Sequence, residues 1–298
     1  MKKIFVSIFI IVFAAHLHAQ QLHFTSQYIP DNYLYNPAAA GMTATSSVGA
    51  TYRSMWSGID GGPKTAMVYG DLTLPKLKAG LAGYIYNDVT GPTRRTGVNL
   101  GYSYHIVSQD GKRMLGIGLE LRALQFYYDM NKLSQYIPND PILAGVSNKV
   151  TLDGGAGIYW KAEKYSIGAS VSQLIQSKIK LATIANATEE SQLYRHFYFT
   201  AHYDFNTGDN ILITPNVMVA VVPHAPTEYT FGAIVNYQDK LYWGAGWRID
   251  QSWMIQAGYT FNKKLQIGYA HDIYQTPLSV FTIGGGADEV MLKYNFIK

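Results

Sequence analysis

From residue 46 to the end, apolar and small or polar side chains alternate with a period of two, in stretch after stretch. Val48, Ala50 and Tyr52 oppose Ser47, Gly49, Thr51 and Arg53. Such alternation specifies β-strands with two chemically different faces, and the Gly/Asp/Pro punctuation at residues 58–63 joins the first two strands as a hairpin. Trp56 falls on the apolar parity of the first strand, and Ala66, Val68, Gly70 and Leu72 resume the pattern after the loop at 57–64.

Fourteen such stretches can be counted: 46–56, 65–74, 79–88, 98–106, 115–123, 152–162, 165–172, 193–205, 211–222, 228–238, 241–249, 253–261, 265–271 and 290–296. The fifth shows the pattern most plainly. Leu115, Ile117, Leu119 and Leu121 face one way, whereas Gly116, Gly118, Glu120 and Arg122 face the other. In the eleventh, Trp243, Ala245 and Trp247 oppose Gly244, Gly246 and Arg248. Most stretches approach the ~9–11 residues with which a tilted strand crosses a bilayer. Even-to-odd connections are short and odd-to-even ones mostly long, the asymmetry of bacterial outer-membrane barrels. The expected fold is an all-β, transmembrane antiparallel barrel of about 14 strands. A soluble β-sandwich is the architectural rival, since one strand alone looks the same in both.

The start of the chain agrees with export. Residues 1–19 carry Lys2 and Lys3, then an apolar run from Ile4 to Ala15, then Ala19 before Gln20. This is a secretory signal peptide, although Leu17 stands where a small residue is usual. An uncleaved anchor is disfavoured because the apolar run is shorter than the ~20 residues of a spanning helix. Residues 20–45 are read as a periplasmic or lumen-docked segment, and 46–298 as the barrel. Only 15% of residues are charged, against about 25% in ordinary soluble domains. Loss of Lys2 and Lys3 takes the net charge from +4 to +2, 22 basic against 20 acidic side chains. That balance gives no electrostatic case for nucleic acid. The chain has no cysteine, so neither disulfides nor a lipoprotein anchor are expected.

No catalytic, cofactor or metal constellation is visible. His196 and His202 share a parity, but six residues are about 20 Å along a strand. Glu189 and Glu190 read as a solvated loop tip, and Gly284–Gly286 lack the strand–loop–helix context of a phosphate cradle. Glu120, Arg122 and Arg248 are predicted to face the lumen. So are Gly97, Gly101, Gly116, Gly118, Gly168, Gly244, Gly246, Gly258 and Gly268. Glycine on a lumen wall lets another segment approach closely, which favours a barrel plugged by loops or by the N-terminal segment over an open pore.

The order of several short motifs resembles the PorP/SprF family of type IX secretion outer-membrane proteins. Gln27-Tyr28, Asn36-Pro37-Ala38 and Ala40-Gly41 are similar to that family's SQY…NPAxAG opening. Tyr52, Arg53, Trp56, Gly61, Pro63 and Thr65 are similar to its first hairpin, and Asn87, Asp88, Gly91, Pro92 and Thr93 to its ND…GPT loop. Gly155–Tyr159, Gln173-Leu174, Gly244–Arg248, Gly258-Tyr259, Gly268-Tyr269 and Pro277-Leu278 continue the likeness. Gly62 departs from it, standing where Ala is common. The resemblance implies a non-enzymatic accessory in the outer membrane; the loop asymmetry puts both termini in the periplasm. It implies support for export or surface retention of cargo with a C-terminal sorting domain, in some cases gliding adhesins. The implied partners are outer-membrane lipid, that cargo, and the periplasmic peptidoglycan-associated and motor components of the machinery. It also marks Tyr52, Arg53, Trp56, Gly61, Pro63, Asn87, Asp88, Gly91 and Pro92 as candidate partner-binding residues. The competing functional reading is a porin or substrate-specific channel, motivated by the inward charges; an outer-membrane enzyme would need a catalytic set that is not found.

Overall fold

In a computed structural model, the structure describes residues 25–27, 29–43, 45–56, 58–129, 131–132, 146–184, 187–208, 210–275 and 286–296. The signal-peptide reading, Tyr28, Pro277-Leu278 and Gly284-Gly285 lie outside them, as do the side chains of Glu189 and Glu190.

The alternating stretches form one antiparallel sheet that closes on itself. Its strands are β1 (Ser46–Met55), β2 (Lys64–Leu74), β3 (Ala79–Thr90), β4 (Thr93–Val107), β5 (Met114–Asp129), β6 (Val146–Lys161) and β7 (Tyr165–Ser172). A separate ribbon, β8 (Lys178–Ile184) and β9 (Ala187–Gln192), follows. The barrel resumes with β10 (His196–Tyr203), a two-residue piece β11 (Phe205–Asn206), β12 (Ile211–Val221), β13 (Glu228–Tyr237), β14 (Leu241–Arg248), β15 (Ser252–Phe261), β16 (Leu265–Tyr274) and β17 (Ala287–Phe296). β1 pairs with β17, and β10 with β12, so fourteen strands make a ring. Closure leaves no sheet edge, the condition for strands to stand in lipid, where unpaired backbone groups cost several kcal/mol each.

The faces follow parity. Leu100 and Leu119, outside, are 66% and 65% exposed, and Val68, Ile158, Ile167, Ile255 and Val290 continue that apolar belt. Ser47, Thr51, Arg53, Asn99, Ser103, Glu120, Arg122 and Arg248 are inside and buried. Aromatic residues gather at the belt's rims. Tyr203–Phe205, Tyr259–Phe261 and Tyr294–Phe296 pack at 4.4, 4.7 and 5.3 Å at the short-turn end, and Trp247 stacks on Trp253 at 5.4 Å near the other. Rings with a polar or polarisable edge favour those interfaces. In the turn between β4 and β5, the Ser108 hydroxyl and the Lys112 amide hydrogen-bond Asp110 and hold its carboxyl below its ordinary range.

Three sequence expectations need correction. β3 and β4 run on to a two-residue Gly91-Pro92 turn, and β5 reaches Asp129, where a loop was expected. Above the apolar belt the outer face meets water while the inner face still meets protein, so hydrophobicity changes sides: Leu124 and Phe126 point inward and are buried, while Gln125 bonds Asn148. Second, part of the loop after β7 is itself the β8–β9 ribbon. Third, Trp56 does not continue the outer face of β1. Its backbone turns to φ +54 just past the strand, where its N–H donates to the Gly286 carbonyl at 2.9 Å.

Candidate functional site: a plug knotted into the lumen wall

The described residues 25–27 and 29–43 lie inside the barrel, from the long-loop end to the short-turn end, where β1 begins. The descent can be followed by its bonds. At the long-loop end the Ser26 amide donates to Glu289 at 2.8 Å and its hydroxyl to Asp272 at 2.8 Å; the Thr25 hydroxyl also reaches Glu289. Lower down, Tyr242 Oη donates to the Gln27 side-chain carbonyl at 2.8 Å, and Lys293 pairs with Asp31 at 2.5 Å.

The family-like Asn36-Pro37-Ala38-Ala39-Ala40-Gly41 run is the tightest part. Asn36 Oδ1 accepts from the Ala38 amide at 3.0 Å and caps a short 3-10 turn, Pro37–Ala39. Its Nδ2 donates to the Ile158 carbonyl of β6 at 2.9 Å. Ser103 Oγ donates to the Ala38 carbonyl at 2.8 Å, and His105 Nε2 to the Ala40 carbonyl at 2.9 Å. The Gly41 amide donates to Asp71 at 2.6 Å. Carbonyls and amides of an irregular segment, buried away from water, must each find a partner, and the wall supplies them.

The inward glycines explain how the backbone comes so close. A Cβ on Gly118 would lie 2.3 Å from the Ala38 nitrogen, one on Gly116 2.2 Å from the Ala38 carbonyl oxygen, and one on Gly157 2.1 Å from Asn36 Oδ1. Gly41, at φ +67, meets Gly80 backbone to backbone: its Cβ would fall 2.4 Å from the Gly80 Cα. The lumen expectation for Gly116, Gly118 and Gly168 is therefore realised as a groove for this knot. Gly97 and Gly258 serve neighbouring tyrosine rings, Tyr86 and Tyr242, instead.

Charge concentrates at the long-loop end. Arg53 Nη2 meets Asp272 at 2.6 Å, and its Nη1 meets Glu289 at 3.1 Å and the Ser26 hydroxyl at 2.8 Å. Arg248 lies 3.3 Å from Glu228 and 3.5 Å from Asp272. All five side chains are at least nine-tenths buried, so each ionised group depends on its partners. Two arginines and three carboxylates from five strands thus converge on the start of the plug. The sequence pattern predicts Arg248 to face the lumen and puts Arg53 and Lys293 on the polar faces of their strands; Asp272, Glu289 and Glu228 are not among the sequence candidates, although parity puts each on the inner face. Glu120 and Arg122 pair with each other at 2.6 Å, with Asn99 Nδ2 donating to Glu120 at 2.7 Å.

The motif residues separate into three environments. Tyr52 faces outward, half exposed. Arg53 belongs to the buried charge cluster. Gly61, Pro63, Gly91 and Pro92 hold adjoining loops together: the Gly91 amide donates to the Gly61 carbonyl at 2.9 Å, the Met55 amide to Pro63 at 2.8 Å, and the Asp129 amide to Pro92 at 2.9 Å. Asp88 is buried and accepts from Thr65 at 2.8 Å, while Asn87 accepts from Thr96 at 3.2 Å. Trp56 ties the same end to Gly286. No group of three or more metal-ligating side chains occurs among the described residues.

A closed fourteen-strand barrel with an apolar outer belt is an outer-membrane β-barrel protein. The TodX deltaS2S3 mutant monoaromatic hydrocarbon channel shares the fold at TM-score 0.51 and 11% identity, over 89% of this chain and 93% of that one. Omp33 of Acinetobacter baumannii is similar at TM-score 0.48 and 10% identity, over 86% and 100%. No curated protein matches. The chain belongs to the family described as type IX secretion system membrane protein PorP/SprF, whose profile matches residues 17–294.

Proposed function

We propose that this protein is a non-enzymatic accessory of type IX secretion that docks proteins at its two ends and conducts nothing through its lumen. Cargo with a C-terminal sorting domain is exported or held at the cell surface through the long-loop end, where Tyr52, Arg53, Trp56, Gly61, Pro63, Asn87, Asp88, Gly91 and Pro92 build or support the mouth. The short-turn end, which carries the C-terminal strand end at Phe296, faces the periplasm and the peptidoglycan-associated and motor components. A periplasmic N-terminus is not carried into this reading, because Thr25 bonds residues at the opposite end.

The observation that carries the proposal is the plug. A segment that exchanges hydrogen bonds with the wall from Glu289 down to Asp71 fills the space a porin would need. The bonded plug weighs against the porin reading, and the likeness to a channel bears on fold alone. The test is deletion of the gene in its host, with cargo measured in the medium and at the surface. The proposal expects cargo bearing the sorting domain to be lost from the surface and restored by the wild-type gene. Unchanged export and retention, with related genes also deleted, would overturn it.

A further inference from the structure

A cavity of 260 Å³ opens at the long-loop end, in the half of the lumen away from the Arg53–Arg248 cluster. Tyr86, Phe126 and Tyr198 form aromatic walls, and Arg122 and Arg95 are among its lining residues. Arg122 is 7% exposed. Its Nε is engaged by Glu120 at 2.6 Å, and neither Nη makes a hydrogen bond among the described residues. Arg95 is exposed and sits opposite Phe126, whereas Asn99 sits opposite Arg122. The four-residue offset puts Arg95 about 13 Å nearer the mouth. The nearby carboxylates are already engaged: Glu120 by Arg122 and Asn99, Asp88 by Thr65, and Asp153, which sits opposite Arg122 on β6, by the Gly154, Ile175 and Ser177 amides. None of the three is among the groups that line the cavity, whose charged members among the described residues are the two arginines.

We infer that this cavity binds a carboxylate carried on an apolar or aromatic body, presented by a polypeptide that docks on the long-loop mouth. The Arg122 Nη groups at the floor receive the carboxylate by paired, charge-assisted hydrogen bonds, the geometry for which a guanidinium fork is suited. The aromatic walls take the attached side chain. Arg95 at the rim attracts the anion before contact and contributes chiefly to the salt dependence of capture. His196 stands at the wall with its Nδ1–H bonded to the Tyr194 carbonyl at 2.9 Å, which turns its other nitrogen away from that bond. The volume admits about one large side chain and its carboxylate, not an extended oligosaccharide. That the ligand belongs to a polypeptide rests on the docking role proposed above; that it is a carboxylate does not.

The test uses the full mature chain, purified in detergent and checked for folding by heat-modifiable gel migration. Calorimetric titration compares N-acetyl-L-phenylalanine with its primary amide, at low and high salt. The acid is expected to bind at least tenfold more tightly than the amide. Arg122→Gln is expected to abolish that preference, and Arg95→Gln to flatten the salt dependence with a smaller loss of affinity. If Arg122→Gln fails to fold, the charge-neutral pair Glu120→Gln with Arg122→Gln takes its place. Equal binding of acid and amide, no binding of the acid by folded wild type at millimolar concentration, or unchanged preference in the arginine variants would overturn the site. In cells, loss of surface cargo in the Arg122→Gln strain supports the polypeptide assignment. Normal cargo in that strain would overturn that assignment while leaving the gene-deletion test of the docking role to be judged by its own result.

Discussion

Arg53 of β1 meets Asp272 of β16 at 2.6 Å, across the intervening β17, with both side chains buried. The same guanidinium bonds the Ser26 hydroxyl of the plug. One side chain therefore ties two non-neighbouring strands to the segment that fills the lumen. Removing one member of such a buried pair leaves an uncompensated charge. Arg53→Met is expected to lower stability by about 3–5 kcal/mol, measured by urea unfolding in detergent or lipid. Arg53→Lys should recover little, because a single ammonium cannot make the forked contacts to Asp272, Glu289 and Ser26 together.

The Lys293–Asp31 pair allows a sharper dissection. Lys293→Met alone should be strongly destabilising, by about 3–5 kcal/mol, and Asp31→Leu similarly. The double variant should be much closer to wild type than the sum of the two, because no charge is then left buried alone. A full double-mutant cycle of unfolding free energies checks this, and strict additivity would contradict the direct pairing.

The glycine groove predicts a contrast between two alanine substitutions. Gly118→Ala drives a Cβ into the Ala38 backbone at 2.3 Å, and neither backbone has a flexible end to yield. A cost of about 1–3 kcal/mol is expected from such overpacking, with increased protease cleavage within residues 25–43. Gly70→Ala meets only the Ser47 carbonyl at 3.5 Å and should change stability by less than about 0.5 kcal/mol.

The outer belt predicts a depth dependence. Leu100→Arg, near the middle of the exposed apolar face, should cost about 2–4 kcal/mol for folding into lipid vesicles, whereas Val107→Arg, at the end of β4, should cost about 1 kcal/mol or less. Equal small costs at both positions, read from reversible unfolding in lipid, would argue against a lipid-facing belt.

Which parts of this were legible in the sequence follows from the range of the interactions. Strands and their two faces are local: Leu115, Ile117 and Leu119 against Gly116, Gly118 and Glu120 specify a strand with two unlike faces without any partner, and the count and spacing of such strands say which face turns inward. The upper part of β5 escaped because Leu124, Gln125 and Phe126 reverse the pattern once the outer face leaves the bilayer. The inward glycines announced a close approach, and the Asn36–Gly41 motif was visible as a resemblance. That one fits into the other is a contact between Ala38 and Gly118, 80 positions apart, which periodicity does not encode. The charge cluster is less legible still. Arg53 and Glu289 lie 236 residues apart, and each reads as one more inward polar residue of its own strand until the barrel closes.

The central claim is that residues 25–43 close the lumen, so that the protein acts as a docking barrel and not as a conduit. Single-channel recording in planar bilayers tests this most directly, comparing the purified mature protein with a variant lacking residues 25–43. Wild type is expected to insert without a stable conducting state, and the deletion variant, where it inserts, to show discrete open-channel steps. A steady, ohmic conductance from wild-type protein with its N-terminal segment intact would contradict the account.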